Sequence, residues 1–121
     1  MSYELYAVRI FSFQWEASLA FYRDVLGLPL HFSDENLGWA QFDLQGSYNG
    51  LELCDPGDPE ARALVGRFVG ISIQIDDIHA PYDSLREKGV NFTAPPEKQP
   101  WGGTLVHFED PDGNVLTLLG G

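Results

Sequence analysis

Few side chains in this 121-residue chain have the chemistry to act on a bound molecule, and their spacing suits contact better than bond-making. Three histidines, His31, His79 and His107, fall in separate segments, and no two have the spacing of a metal-ligand pair. Cys54 has no neighbour in sequence that would lower its pKa, so it does not read as a reactive thiol. No phosphate-cradling glycine loop or serine-nucleophile motif is present. What remains is aromatic and polar. Trp39 stands beside Gly38, Trp101 stands before Gly102-Gly103, and an indole suits stacking on a ligand. Gly70, Ser72 and Gln74 alternate with isoleucines. Such a small polar face fits either a cavity wall or the solvent side of a half-buried sheet.

The net charge narrows the partners. Eighteen acidic residues stand against seven basic ones, giving −11. That excludes the basic face nucleic acid requires and would draw a cationic ligand inward. At 44% hydrophobic and 21% charged residues, the chain reads as one compact globular domain, 1–121. No apolar run is long enough for a membrane span, and MSYELYAVRI has no signal-peptide pattern. A lone cysteine fits a reducing cytoplasm.

The elements that must position these residues can be read in order. Tyr3–Ser12 alternates as a strand, with Tyr6, Val8 and Ile10 on one face and Leu5, Ala7, Arg9 and Phe11 on the other. Ser12 is the expected N-cap of a helix over Trp15–Leu26, with Ala17, Phe21 and Val25 as its apolar stripe. Gly27 and Pro29 end it. Short strands follow at Pro29–Ser33 and Gly38–Leu44, then a turn at 45–50 and a strand at Leu51–Cys54. Residues 55–67 read as a linker, with room for one helical turn at Pro59–Leu64. Phe68–Asp76 is the clearest strand, and Ile78–Lys88 a helix ended by Gly89. Val90–Thr93 is a strand and Pro95-Pro96 a break. Thr104–Asp110 and Val115–Leu119 form a hairpin around Pro111-Asp112-Gly113-Asn114.

The second half repeats the first at an offset of about 63 residues. Val8 falls on Ile71, Gly27 on Gly89, and Leu51-Glu52-Leu53 on Leu116-Thr117-Leu118. The fold class is therefore α+β: two tandem βαβββ modules, about 1–54 and 68–121, each packing its helix on one face of a curved mixed sheet and leaving the other face partly open.

The repeat, the helix text Ser18-Leu19-Ala20-Phe21-Tyr22-Arg23-Asp24-Val25-Leu26-Gly27-Leu28 and the run Asp110-Pro111-Asp112-Gly113-Asn114 resemble the vicinal oxygen chelate superfamily. That group includes glyoxalase I, bleomycin-resistance proteins and extradiol dioxygenases. The resemblance implies paired modules around a pocket and a homodimer. In the metal-dependent members, ligands come from the first and last strand of each module. Carried over, those positions are Ala7, Glu52, Gly70 and Thr117. One carboxylate in four does not hold a catalytic metal, so no metal and no cofactor are expected.

With that chemistry set aside, strand parity gives Arg9, Phe11, Glu52, Ser72, Gln74 and Thr117 as pocket lining, with Trp39 and Trp101 at its rim. Arg9 and Glu52 either pair with each other or meet a ligand, because an isolated buried charge is costly. The parity of His107 is ambiguous, since apolar residues fall on both faces of its strand. The Pro100-Trp101-Gly102-Gly103 text resembles the bleomycin-resistance branch. The resulting expectation is a cytoplasmic, dimeric, metal-free protein that binds a small cationic or aromatic compound, with no catalytic residue. The alternatives are a metal-dependent lyase, isomerase or dioxygenase with atypical ligands around Glu52, and an accessory domain without a small ligand.

Overall fold

The computed structural model describes all 121 residues, in two compact units, Met1–Val65 and Gly66–Gly121. In the first unit, β1 (Ala7–Ser12) leads into α1 (Trp15–Ala20). Then come β2 (Leu30–Asp34), β3 (Trp39–Asp43), β4 (Tyr48–Leu53) and a single turn, α2 (Pro59–Arg62). The sheet order is β1-β4-β3-β2, with β1 and β4 parallel and the other pairs antiparallel. Alternation sends Ile10, Leu51, Ala40 and Phe42 to one face, where all four are buried. Each such side chain contributes roughly 1.5–3 kcal/mol when fully removed from water, alanine less.

The helix departs from the sequence expectation in two ways. Its buried side chains are Trp15, Ser18 and Tyr22, not the Ala17–Phe21–Val25 stripe. The two large rings decide this. Trp15 Nε1 donates to the Leu51 carbonyl at 3.0 Å, and the Tyr22 ring lies 5.9 Å from Phe42. The last turns, Phe21–Val25, widen into a π-helix in which Leu26 N–H reaches the Phe21 carbonyl. That shift turns later residues off a 3.6-residue stripe. Ser12 is not the cap. It is fully buried in β1 opposite Leu53, and Gln14 occupies the capping position without a side-chain bond to the helix end. The turn before β4 is shorter than expected as well. Gln45 and Gly46 both adopt positive φ, as in a two-residue type I′ hairpin, so β4 begins at Tyr48 instead of Leu51.

The second unit repeats the arrangement with β5 (Phe68–Gln74), α3 (His79–Glu87), β6 (Asn91–Phe92), β7 (Glu97–Lys98), β8 (Thr104–Glu109) and β9 (Val115–Gly120). The order β5-β9-β8-β6 matches the first sheet strand for strand, and β7 also pairs with β8. Where one strand was expected at Val90–Thr93, two short ones flank Pro95-Pro96, because proline cannot donate to the ladder. The core is Val106, Phe108, Leu116 and Leu118, with Ile78 and Leu85 from α3 and its start. Tyr82 meets Phe92 at 4.7 Å between ring centroids, and Phe92 meets Phe108 at 6.4 Å.

The β8–β9 turn is stapled by side chains. Asp110 Oδ1 accepts the N–H groups of Asp112 and Asn114, and Asp110 Oδ2 accepts Asn114 Nδ2. Asn114 Oδ1 in turn accepts the Gly66 N–H at 2.8 Å. The Asp-Pro-Asp-Gly-Asn text is thus a structural knot that closes the hairpin and ties down the start of its unit.

Candidate functional site

Residues directly opposite in a ladder share a sheet face, so the strand registers decide which candidate side chains meet. In the first unit, Phe11, Glu52 and Trp39 lie in one row, and Arg9, Gly50 and Gln41 in the next. Both rows occupy the face turned away from α1. Arg9 Nη1 donates to Glu52 Oε1 at 3.0 Å, and the guanidinium carbon lies 5.2 Å from the Phe11 ring centroid. The two charges therefore pair with each other. Their side chains are 57% and 35% exposed. Solvent screens such a pair, and it contributes about 1 kcal/mol or less.

Trp39 lies across Gly50, where an added Cβ would collide with the indole ring. Its Nε1 donates to Gln41 Oε1 at 2.9 Å, and the Tyr6 hydroxyl bonds the same oxygen at 3.0 Å. An indole N–H only donates, so this identifies the oxygen of the Gln41 amide. The Gln41 NH2 is left without a protein acceptor. Tyr48, on the same face, contacts Tyr6 edge-on at 5.2 Å and the His31 ring at 5.0 Å. The result is a strip of aromatic rings interrupted by one ion pair and one amide.

In the second unit, Ser72, Thr117 and His107 form a single row across β5, β9 and β8, on the face turned away from α3. His107 Nδ1 and Thr117 Oγ1 are 2.7 Å apart. Thr117 is buried, His107 half-buried, and Ser72 and Gln74 exposed. Between Phe68 and Ser72, four residue steps of β5 face only two of β9, from Val115 to Thr117. Gly70, at φ +83°, sits inside that bulge. The bulge re-aims Phe68, whose ring meets His107 edge-on at 5.4 Å. Trp101, expected at the rim, is not part of a strand. It lies in the β7–β8 loop, 64% exposed, with its ring over Gly103 and near Leu119.

The four positions carried over from the metal-dependent pattern do not furnish a donor set. Ala7 pairs with Tyr48, four residues along the strand from the Phe11–Glu52 pair. Gly70 needs a backbone conformation that side-chain-bearing residues rarely adopt. Glu52 is engaged by Arg9, and Thr117 by His107. No three His, Cys, Asp or Glu side chains come together as ligands. A catalytic zinc takes three protein donors, which these residues do not supply.

Sequence reasoning missed Gln41, Tyr6, Tyr48 and Phe68, and left His107 open. For His107 the signal was present. A turn at Asp110–Asn114 sets Glu109 opposite Val115 and therefore His107 opposite Thr117. For Gln41 the hint was a lone amide between the apolar residues Ala40 and Phe42.

The sequence profile described as Glyoxalase/Bleomycin resistance protein/Dioxygenase superfamily matches residues 5–118. The lactoylglutathione lyase of Haemophilus influenzae is 29% identical over 119 residues, covering 86% of this chain and 82% of that enzyme. A solved member of the same superfamily from Sphaerobacter thermophilus is 33% identical, with a TM-score of 0.78 over 100% of this chain and 98% of that one. TnmS3, an antibiotic binding protein from Streptomyces sp. CB03234, is 28% identical, with a TM-score of 0.75 over 99% of this chain and 96% of that one.

Proposed function

Because the chain belongs to the glyoxalase/bleomycin resistance protein/dioxygenase superfamily, we propose that it is a metal-free member that binds a small organic molecule, aromatic or cationic, without transforming it. The observation that carries this reading is the state of the four would-be ligand positions. Two have no donor atom, and the other two, Glu52 and Thr117, are bonded to Arg9 and His107. What the sheet faces offer instead is aromatic surface with a few polar contacts. Trp39 is held flat by Gly50 and Gln41, Phe11 lies under Arg9, and Trp101 is an exposed indole seated over Gly103. Gln74 and Ser72 add polar atoms. Small-molecule sites are lined chiefly by apolar and aromatic side chains with a few polar groups, and each unit's sheet face offers such a lining by itself. The likeness to an antibiotic binding protein supports the same reading.

A thermal-shift screen against bleomycin and a panel of aromatic cations tests it. A ligand at 100 times its Kd stabilises the native state by about 2.7 kcal/mol, a readily measured rise in Tm. No stabilisation by any member of the panel counts against the proposal.

A second reading is a lyase, favoured by the relative named lactoylglutathione lyase. Elemental analysis of tag-free protein separates the two. A stoichiometric divalent metal, lost in Glu52→Ala, would overturn the metal-free reading and favour the lyase. We further propose a cytoplasmic homodimer, consistent with the single thiol of Cys54 and with the unpaired edges of β1 and β5. A monomer in light scattering across micromolar concentrations would refute the dimer.

A further inference from the structure

We propose that His107, fixed by Thr117, is a hydrogen-bond donor to an uncharged oxygen of the ligand: a ketone, ester or amide carbonyl lying on the face of the second sheet turned away from α3. The inference rests on the ligand-binding reading above and assigns the chemical group recognised.

It starts from the buried hydroxyl. Thr117 is 2% exposed, and the only polar group its side chain meets is His107 Nδ1, at 2.7 Å. Two arrangements of that bond are available to a neutral imidazole. If Nδ1 carried the proton and donated it to Oγ1, the hydroxyl hydrogen of Thr117 would be buried with no acceptor. An unsatisfied buried donor carries its full desolvation cost. If the hydroxyl donates to Nδ1, that hydrogen is satisfied and the ring proton resides on Nε2. The second arrangement leaves nothing unpaired inside the sheet, so Thr117 selects the Nε2–H tautomer.

That N–H has no acceptor within the protein. The ring is half-buried and held at its side by the edge contact with Phe68, which the Gly70 bulge puts in place. The donor is therefore oriented by two contacts, one polar and one apolar, before any ligand arrives. The exposed hydroxyl of Ser72, in the same row, makes no hydrogen bond and is available as a second contact.

Charge decides the class of acceptor. The rows on either side of Ser72–Thr117–His107 are Phe68, Val115, Glu109 and Asn91, and Gln74, Leu119, Leu105 and Glu97. None of these is lysine or arginine, and two are glutamates. A carboxylate or phosphate would meet acidic neighbours and no lysine or arginine in these rows. A carbonyl on a ring that packs against Phe68 would lose nothing to that field.

Two measurements test the assignment. Long-range proton–nitrogen correlation of 15N-labelled protein, with the signal assigned through His107→Phe, should show Nε2–H as the dominant tautomer of His107. Thr117→Val, which keeps the shape but removes the hydroxyl, should yield a mixture. Separately, titration with 9-fluorenone and with fluorene compares two rings of the same shape, only one of which bears a carbonyl. Wild type should bind fluorenone about fivefold more tightly, the worth of one ordinary hydrogen bond. The ratio should fall to about one in His107→Phe. A dominant Nδ1–H tautomer in wild type would overturn the proposal without any ligand being involved. Equal affinities would remove His107 as a donor while leaving ligand binding intact. Binding of neither probe would overturn both the donor role and the ligand-binding reading for this face.

Discussion

Gly50 is where the placement of Trp39 can be tested most directly. In the row Arg9–Gly50–Gln41 the glycine leaves a gap, and the indole of Trp39 fills it with its six-membered ring over the backbone. Its φ is not positive, so alanine is conformationally allowed there, and the nearest obstacle is the indole. Gly50→Ala must lift that ring off the sheet. The displacement breaks the Trp39–Gln41 hydrogen bond, worth about 1 kcal/mol net, and adds overpacking of about 1–3 kcal/mol. Against this, alanine restricts the unfolded chain and returns about 0.4–1 kcal/mol. The net expectation is a destabilisation of about 1–3 kcal/mol, read as a lower urea midpoint at unchanged slope. The decisive comparison is a double-mutant cycle. In a Trp39→Ala background the obstacle is gone, so Gly50→Ala should be neutral or slightly stabilising, and the coupling energy should reach about 2 kcal/mol. An equal effect of Gly50→Ala in both backgrounds would refute the seating of the indole on this glycine. The platform it offers a ligand would fall with it.

Three further outcomes follow from the same geometry. Asn49 is buried in β4 between Val8 and Phe42, with neither amide atom hydrogen-bonded, so Asn49→Val should raise stability by about 1–3 kcal/mol in urea unfolding. A loss of stability would mean that the amide is satisfied. Asn114→Ala removes the acceptor of the Gly66 N–H and a donor to buried Asp110, and should cost about 2–4 kcal/mol by calorimetry. A cost below about 1 kcal/mol would contradict the staple. Arg9→Ala and Glu52→Ala should each change stability by about 1 kcal/mol or less, because the pair is solvent-screened. A markedly larger loss for either one alone would show that the surviving charge is buried.

The sequence by itself determined the repeat, the order of strands and helices, and the turn chemistry that separates them. Those are local properties. Period-two alternation in Phe68–Gln74, the glycines after each helix and the Asp110–Asn114 turn act over a few residues, and their physics does not depend on what lies elsewhere. Residue types alone also showed that Ala7 and Gly70 offer no metal donor. What only tertiary structure decided is which side chains meet. Arg9 and Glu52 are 43 residues apart, and their bond depends on the register of a parallel pair that no turn dictates. The buried stripe of α1 fell to Trp15, Ser18 and Tyr22 because a carbonyl of β4 and the ring of Phe42 were there to receive the two aromatics. The bulge at Gly70, which turns Phe68 onto His107, arises from a mismatch in length between β5 and β9 that neither strand shows alone. Periodicity gives a side chain its direction. Its partner is set by registers and packing between segments that are distant in the chain.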